Sequence, residues 1–278
     1  MTEITRESVI NATINVLKKA ETSLPDDVVD ALKSAENTES SEVARSQINA
    51  VLKNIDIARK HEIPMCQDTG ILIFYIQIGK KLRLDFDLED AIEEGVRYAT
   101  SNIPLRPNAV DPITRKNSGN NVGMGLPDIK YQFIEGNYLT ITVAPKGAGS
   151  ENMSRLQMFN PTQLDNIKKF AAETVLNAGG KPCPPLILGI GIGGSFDKAP
   201  RLSKSALLDN ISKMDDFEKD ILDDVNSLGI GPMGIGGDTT ALSVKVKKSH
   251  CHTASLPVAV NIQCWANRHA SVTLGDDD

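Results

Sequence analysis

The spacing of apolar residues divides the chain into a helical first part and a later part in which strands and helices alternate. Before residue 60, apolar residues recur at helical spacing in three stretches, at 9–17, 28–35 and 43–55. A proline followed by two aspartates at 25–27 marks the start of the second stretch. The pattern therefore predicts a helical N-terminal part over residues 1–60.

Beyond residue 60, runs rich in β-branched and aromatic residues indicate strands. Strands are predicted at 71–78, 131–134, 139–143, 186–190, 241–246 and 257–262, and helices at 88–99, 161–178 and 207–228. The turn residues 135–137 predict a hairpin between the second and third strands. Residues 101–128 lack periodicity, and long irregular segments of this kind are often functional.

No linker or internal repeat divides this pattern. The prediction is a single α/β domain over residues 1–278, in which mixed sheets are flanked by helices and the helical N-terminal part belongs to the same domain.

Composition and charge exclude several classes of protein. Hydrophobic residues make up 40% of the 278 residues and charged residues 24%, as in soluble globular proteins. The net charge of −6 gives no basic surface for nucleic acid. No apolar run approaches the ~20 residues that span a membrane, and the N-terminus has no signal-peptide core. We therefore expect a cytoplasmic protein that binds neither nucleic acid nor membrane.

Three of the four cysteines have neighbours that suit a ligand held on a loop. Cys66 lies in PMCQDTG, Cys183 in KPCPP and Cys264 in NIQCWANR. Their separations are far longer than those of a local metal finger, so only the whole fold could bring them together. Dispersed cysteines are more simply small buried hydrophobic residues. Three thiolates could also hold a four-iron cluster and leave one iron open to substrate.

With their neighbours, these cysteines resemble the iron–sulfur hydro-lyases. The resemblance is to the alpha subunit of two-subunit class I fumarases and L(+)-tartrate dehydratases. The matching motifs are PMCQDTG (64–70), NSGNN (117–121), PKGAGSEN (145–152), GGKPCPP (179–185), GIGIGGSFDKAPRLSKSALL (189–208), LGIGPMGIGGDTTAL (228–242) and HTASLPVAVNIQCWANRHA (252–270).

The resemblance implies a cofactor and its ligands. Cys66, Cys183 and Cys264 would bind a [4Fe-4S] cluster, whereas Cys251 aligns with no ligand. The iron without a protein ligand would act as a Lewis acid on the substrate hydroxyl and a neighbouring carboxylate.

The resemblance also implies catalytic and substrate-binding residues. Gln67 and Asp68 would contact substrate, and Asp68 would assist proton transfer. Arg106 would hold a substrate carboxylate, which suits its planar fork of donors. His252 would be an active-site histidine. The simpler alternatives are a turn residue for Asp68 and a surface cation for Arg106. A third alternative is a local metal site, if His252 shares one strand face with His250.

The glycine-rich loop at 146–150 follows a predicted strand. By the resemblance, Gly147 and Gly149 would bring backbone amides close to the substrate. An ordinary β-turn explains each glycine nearly as well.

A competing interpretation comes from G-x-G-x-x-G at 189–194, the fingerprint of an NAD-dependent oxidoreductase. Pro200 is expected to interrupt the crossover helix, and Asp209 falls in a helical pattern instead of at the end of a second strand. This run and the glycine-rich run at 229–237 are therefore expected to bring backbone close to the cluster or to a partner. A non-catalytic assembly subunit is the third hypothesis, but it would not require Gln67, Asp68 and the other proposed catalytic side chains.

The resemblance further implies a partner. A separate beta subunit would complete the active site, in an α2β2 heterotetramer that acts on a small dicarboxylic acid. No single residue separates fumarate from tartrate. Fumarate hydration is favoured only as a central metabolic reaction, and an L(+)-tartrate dehydratase alpha subunit is the alternative.

Overall fold

The computed structural model describes residues 4–276, so the first three residues of the N-terminal segment lie outside it. The described chain forms two compact units that are interleaved in sequence. Unit 1 comprises the residues up to Leu24, Ile55–Gly147 and the residues from Arg268 onward, and unit 2 comprises Pro25–Asn54 and Ala148–Asn267. The assignment of residues 1–278 to one domain stays a prediction.

Helices and strands alternate along most of the chain after a helical N-terminal part. The helices are α1 (Arg6–Thr22), α2 (Asp26–Thr38), α3 (Glu42–His61), α4 (Leu88–Asn102), α5 (Ala148–Glu151), α6 (Asn166–Ala178), α7 (Lys198–Ala206) and α8 (Asp216–Asn226). The strands are β1 (Ile71–Gly79), β2 (Asp128–Ile134), β3 (Asn137–Lys146), β4 (Arg155–Phe159), β5 (Leu186–Ile192), β6 (Ala241–Lys248), β7 (Leu256–Gln263) and β8 (Ala270–Asp276). The predicted α/β class, with mixed sheets and flanking helices, is confirmed. No helix among the described residues is long and apolar enough to cross a membrane.

Unit 1 contains a four-stranded sheet in the order β2-β1-β3-β8. Strand β1 runs parallel to β2 and antiparallel to β3. Apolar side chains of α1 and α4 pack with those of the sheet, and Phe74 and Ile76 of β1 are fully buried in this core. The loop that enters β1 is therefore attached to a rigid central strand.

The predicted hairpin between β2 and β3 is wrong, because β1 lies between the two strands. Residues 135–136 form the expected turn, but the turn crosses the end of β1. A Cβ on Gly79 would lie 2.5 Å from the carbonyl oxygen of Gly136. The absence of a side chain at Gly79 thus lets the chain pass over β1, where Lys81 N–H donates to the Gly136 carbonyl at 3.1 Å.

Unit 2 contains a second four-stranded sheet, in the order β4-β7-β5-β6. Strands β5 and β6 are parallel, and β7 is antiparallel to β5. Helices α6 and α8 supply apolar side chains to its core. The predicted helix over 207–228 is shorter than expected, because α8 begins at Asp216, capped by Asp215. Helix α7 and strands β4 and β8 were not predicted.

Candidate active site

The loop at 62–70, between α3 and β1, carries three of the predicted site residues. Cys66 is half-buried, Gln67 is exposed and Asp68 is half-buried. The backbone N–H of Gly70 donates to Asp68 Oδ1 at 3.0 Å, which closes a local turn around the carboxylate. Asp68 is therefore a turn residue, as its simpler interpretation proposed, and its carboxylate is held in one orientation.

Two buried charged residues of unit 1 hold this loop from behind. Arg268 Nη2 donates to the carbonyl oxygen of Asp68 at 2.9 Å, and its Nη1 donates to Glu21 Oε2 at 2.6 Å. The carbonyl oxygen of Glu21, in the last turn of α1, accepts the N–H of Met65 at 3.0 Å. The loop is thus attached to α1 at residue 65 and to Arg268 at residue 68.

Glu21 has an unusual electrostatic environment. Burial raises the pKa of Glu21 to about 7, although the charge and hydrogen bond of Arg268 lower it; the negative charge of Asp68 raises it further. Its Oε1 atom is buried without a hydrogen-bond partner in the described part of the chain. The sequence analysis missed this residue. The available signal was its position four residues after Leu17, on the buried face of α1.

The predicted Gly147 lies against Asp68. A Cβ at residue 147 would be 3.1 Å from Asp68 Oδ2, so a side chain there would crowd the carboxylate. Gly70, with a φ of +75°, lies even closer to the backbone of Lys146, where a Cβ would approach to 2.7 Å. The end of β3 therefore lies directly beside the loop. Gly147 is needed there because any side chain would come too close to the Asp68 carboxylate.

Arg106 follows α4, and its side chain is exposed. Its backbone is fixed, because its carbonyl oxygen accepts the Thr69 hydroxyl at 3.1 Å and the Asn121 side-chain amide at 3.2 Å. Asn108 donates to the carbonyl oxygen of Gly70 at 3.1 Å. The irregular segment and the NSGNN motif thus attach Arg106 to the Asp68 loop within unit 1.

Unit 2 brings the two other predicted cysteine ligands to neighbouring segments. Cys183 lies in a turn closed by its N–H donating to the Gly180 carbonyl at 3.1 Å, and its φ of +56° is in the left-handed region. The carbonyl oxygen of Cys183 accepts the N–H of Trp265 at 3.4 Å. Cys264 follows β7 directly. Both cysteines are half-buried.

The second glycine-rich run supports the Cys183 turn. The N–H of Met233 donates to the Pro184 carbonyl at 2.8 Å. A Cβ on Gly234 would lie 2.6 Å from the Cα of Gly180, so the two backbones are in direct contact. This run therefore packs against the turn that carries Cys183, and its expected approach to a cluster or to a partner stays a prediction.

His252 and Gly149 lie elsewhere in unit 2. Strand β6 ends at Lys248, so His250 and His252 do not lie on a strand, and the condition of the local-metal alternative is not met. The exposed His252 lies in the following loop, where its Nδ1 accepts the Ala254 N–H at 3.1 Å. Gly149 is exposed within α5, and a Cβ there would be 3.2 Å from the carbonyl oxygen of Lys181.

The three predicted cysteine ligands have the thiol chemistry that an iron–sulfur cluster requires. Within residues 4–276, no group of three or more His, Cys, Asp or Glu side chains could hold one ion. A four-iron cluster binds its thiolates at separate irons, so its ligands need not converge on one point. Cys66, Cys183 and Cys264 are thiols that form no disulfide, and each lies half-buried on a loop. These residues fit thiolate ligation.

The G-x-G-x-x-G run packs against a helix instead of leaving room for a nucleotide. Gly189 and Gly191 lie inside β5, where a Cβ would come within 2.1 Å of the Ser203 carbonyl and 2.0 Å of the Ala199 carbonyl, respectively. The prediction that Pro200 interrupts the helix is wrong. Pro200 lies in the first turn of α7, where the missing N–H has no helical partner to lose.

Comparison with known proteins agrees with this geometry. A family model described as Fumarate hydratase (Fumerase) matches residues 10–273. The chain belongs to this family. Membership in the fumarate hydratase family confirms the resemblance found in the motifs and identifies the chain as a hydro-lyase.

The relatives share nearly their whole length with the chain. A protein of Methanocaldococcus jannaschii named "Putative L(+)-tartrate dehydratase subunit alpha" is 46% identical over 268 residues, which cover 92% of this chain and 94% of that protein. The L(+)-tartrate dehydratase subunit alpha of Escherichia coli (strain UTI89) is 29% identical over 289 residues, 100% of this chain and 95% of that protein. The protein of the same name from Shigella boydii serotype 4 has the same identity and coverage.

Proposed function

We propose that this chain is the alpha subunit of an iron–sulfur hydro-lyase that reversibly hydrates fumarate to malate. The observation that carries the proposal is the construction of the loop at 62–70. There a candidate cluster ligand, Cys66, is followed directly by Gln67 and Asp68, and Asp68 is held by hydrogen bonds at its carbonyl and its carboxylate. A cluster ligand and a fixed acid–base group on one loop suit a reaction in which a hydroxide leaves beside a proton that must be removed.

Three thiolates would hold the cofactor. Cys66, Cys183 and Cys264 are the ligands of the proposed 4Fe-4S cluster, and Cys251, exposed in a separate loop, is not. When bound, the cluster supplies one Lewis-acidic iron for the hydroxyl of the substrate.

The side chains near Cys66 would bind and orient the substrate. Asp68 would exchange a proton with the substrate or its bound water. Gln67, exposed beside the ligand, would donate its amide hydrogens to a substrate oxygen. The exposed guanidinium of Arg106 would bind the remote carboxylate through paired hydrogen bonds, and its fixed backbone limits the entropy lost on binding.

The backbone and a histidine would complete this half of the site. The N–H groups at Gly147 and Gly149 would donate to a carboxylate, as backbone amides do in anion-binding loops. His252 would donate to the departing oxygen or orient a carboxylate.

A separate beta subunit would supply the remaining groups. The relatives in E. coli and Shigella are each named a subunit alpha, which supports a two-subunit enzyme. We propose an α2β2 heterotetramer, located in the cytoplasm, in which the beta subunit contributes further basic residues and the catalytic base.

L(+)-tartrate is the second candidate substrate, and the names of the relatives support it. The description of the matching family supports fumarate. Both substrate pairs offer two carboxylates and a hydroxyl beside one of them, so the same loop suits either. Tartrate has a second hydroxyl, and a site built to hydrogen-bond that group can discriminate strongly.

Anaerobic reconstitution of the chain with its beta subunit tests the proposal. Turnover of fumarate, malate and L(+)-tartrate is compared in one preparation, without added NAD or NADP. We expect kcat/KM for fumarate and malate to exceed that for tartrate by about 100-fold or more. If kcat/KM for L(+)-tartrate is the larger value instead, L(+)-tartrate and not fumarate is the substrate. A preparation with a full cluster and no turnover of any of these acids would overturn the hydro-lyase proposal.

A further inference from the structure

A buried ion pair in unit 1 is directed at the loop of Asp68. Arg268 is 3% exposed and Glu21 is fully buried. The guanidinium of Arg268 divides its donors between two acceptors, because Nη1 donates to Glu21 Oε2 and Nη2 to the carbonyl oxygen of Asp68. Only a planar fork with fixed spacing can serve both acceptors at once.

Glu21 holds the same loop a second time through its backbone. Its carbonyl oxygen lies in the last turn of α1, where it has no partner within the helix, and it accepts the N–H of Met65. The two contacts lie on either side of Cys66 and Gln67. The position of the backbone at residue 68 in turn determines the orientation of the Asp68 carboxylate, because Asp68 Oδ1 accepts the Gly70 N–H at 3.0 Å.

Stability alone is a weak explanation of this arrangement. Replacing a buried ion pair with apolar side chains of similar volume is often neutral or stabilising. Here the pair also leaves Glu21 Oε1 buried without a hydrogen bond among the described residues, which is costly. The pair does provide a fixed position for the backbone of Asp68.

We propose that Arg268 and Glu21 are positioning residues that hold the Asp68 carboxylate in its reactive orientation. The inference rests on the proposed role of Asp68 in the hydro-lyase reaction. Arg268 acts through the Asp68 carbonyl, and Glu21 orients Arg268 because its Oε2 accepts the hydrogen bond of Nη1. Neither residue contacts the substrate in this proposal.

The first variant replaces the guanidinium of Arg268 with another cation, and the second changes its acceptor, Glu21. Arg268→Lys keeps the cation but cannot reach both acceptors, and Glu21→Gln keeps the shape and one acceptor oxygen but removes the negative charge. The matched control is Glu218→Gln. Glu218 forms a similarly buried ion pair with Lys245 at 3.0 Å in unit 2, whereas the loop at 62–70 belongs to unit 1.

Each variant is reconstituted with the beta subunit, and its iron content, kcat and KM are measured. For Arg268→Lys we expect kcat per cluster to fall about 100-fold, as for a misplaced catalytic group, and KM to change much less. Glu21→Gln should show a smaller decrease of the same kind. Glu218→Gln should keep the wild-type kcat per cluster.

Hydrogen exchange of the Gly70 amide in the full alpha chain gives a second readout that does not depend on turnover. We expect exchange to accelerate about tenfold in Arg268→Lys through local opening and to remain unchanged in Glu218→Gln. If Arg268→Lys does not fold, Glu21→Gln is judged by the same two measurements.

The inference is overturned if kcat per cluster and Gly70 exchange stay at wild-type values, or if activity falls only in proportion to iron content. Failure of the proposed function gives a different result. In that case the wild-type complex hydrates none of the acids, while the exchange experiment still decides whether Arg268 fixes the loop.

Discussion

The substitution Gly191→Ala tests whether the glycines of β5 serve the packing of α7. A Cβ at residue 191 would lie 2.0 Å from the carbonyl oxygen of Ala199 and 2.7 Å from the backbone nitrogen of Ser203. Both are backbone atoms of α7, so no side-chain rotation can relieve the contact. Real Cβ atoms essentially never come within 3.0 Å of such atoms. The helix must therefore move by about 1 Å.

The expected cost follows from this displacement. Overpacking a well-packed core costs about 1–3 kcal/mol. Because the contact involves two backbone atoms of a buried helix, we expect the upper part of that range, about 2–3 kcal/mol. For a protein of this size, the loss corresponds to a decrease in Tm of about 3–5 °C.

Thermal and urea denaturation, followed by far-ultraviolet circular dichroism, measure the effect. The single tryptophan, Trp265, is buried in unit 2 and provides a fluorescence signal from the affected unit. Gly123→Ala is the control, because Gly123 has no atom within 4 Å of a Cβ and does not have a positive φ. Its free energy of unfolding should stay within about 0.5 kcal/mol of wild type.

Wild-type denaturation midpoints for Gly191→Ala would refute the packing argument. The face of β5 would then have room for a ligand. An increase of the wild-type Tm on addition of NAD would, in that case, favour the dinucleotide interpretation.

Three further predictions concern stability, pH and the cofactor. Glu39→Ala should lower the free energy of unfolding by about 2–3 kcal/mol in urea denaturation, since its buried carboxylate accepts three backbone N–H groups, at 2.9–3.2 Å; an unchanged midpoint would contradict this. Burial raises the pKa of Glu21 from its usual 4.5 to about 7, so the folded chain keeps a proton that the unfolded chain releases. The resulting stabilisation, about 3 kcal/mol, is complete below pH 4.5 and is lost as the pH rises from there to about 7. Glu21→Gln should remove this pH dependence, and a variant that retained it would exclude Glu21 as the source. Cys264→Ser should prevent assembly of the cluster, measured by visible absorption and iron analysis, whereas Cys251→Ala should retain it; loss of the cluster in the second variant would mean that the ligand assignment is wrong.

The elements that could be predicted from the sequence are those whose signal is local. The apolar stripe of α1 and the continuous apolar run of β1 are each visible in the sequence of that element alone. Both elements were predicted to within a few residues of their ends. The stop signal at Gly179 is also local, because a residue there adopts a positive φ. The motifs around the cysteines were likewise visible without the structure.

Pairings between distant residues could not be predicted in this way. The turn at 135–137 gives no information about β1, which enters between β2 and β3 because Gly79 leaves room for the crossing chain. The loop of Asp68 is held by Glu21 and Arg268, which are separated by almost the whole length of the chain. Pro200 was misjudged because its effect depends on whether it falls in the first turn or the interior of a helix.

The rate of fumarate hydration by the reconstituted complex is the decisive measurement for the proposed function. The loss of fumarate absorption is followed under anaerobic conditions for the alpha chain alone and for the alpha chain with its beta subunit. We expect the complex, with a full 4Fe-4S cluster, to form malate and the alpha chain alone not to do so. Full turnover by the alpha chain without a partner, or none by the loaded complex, would contradict the account.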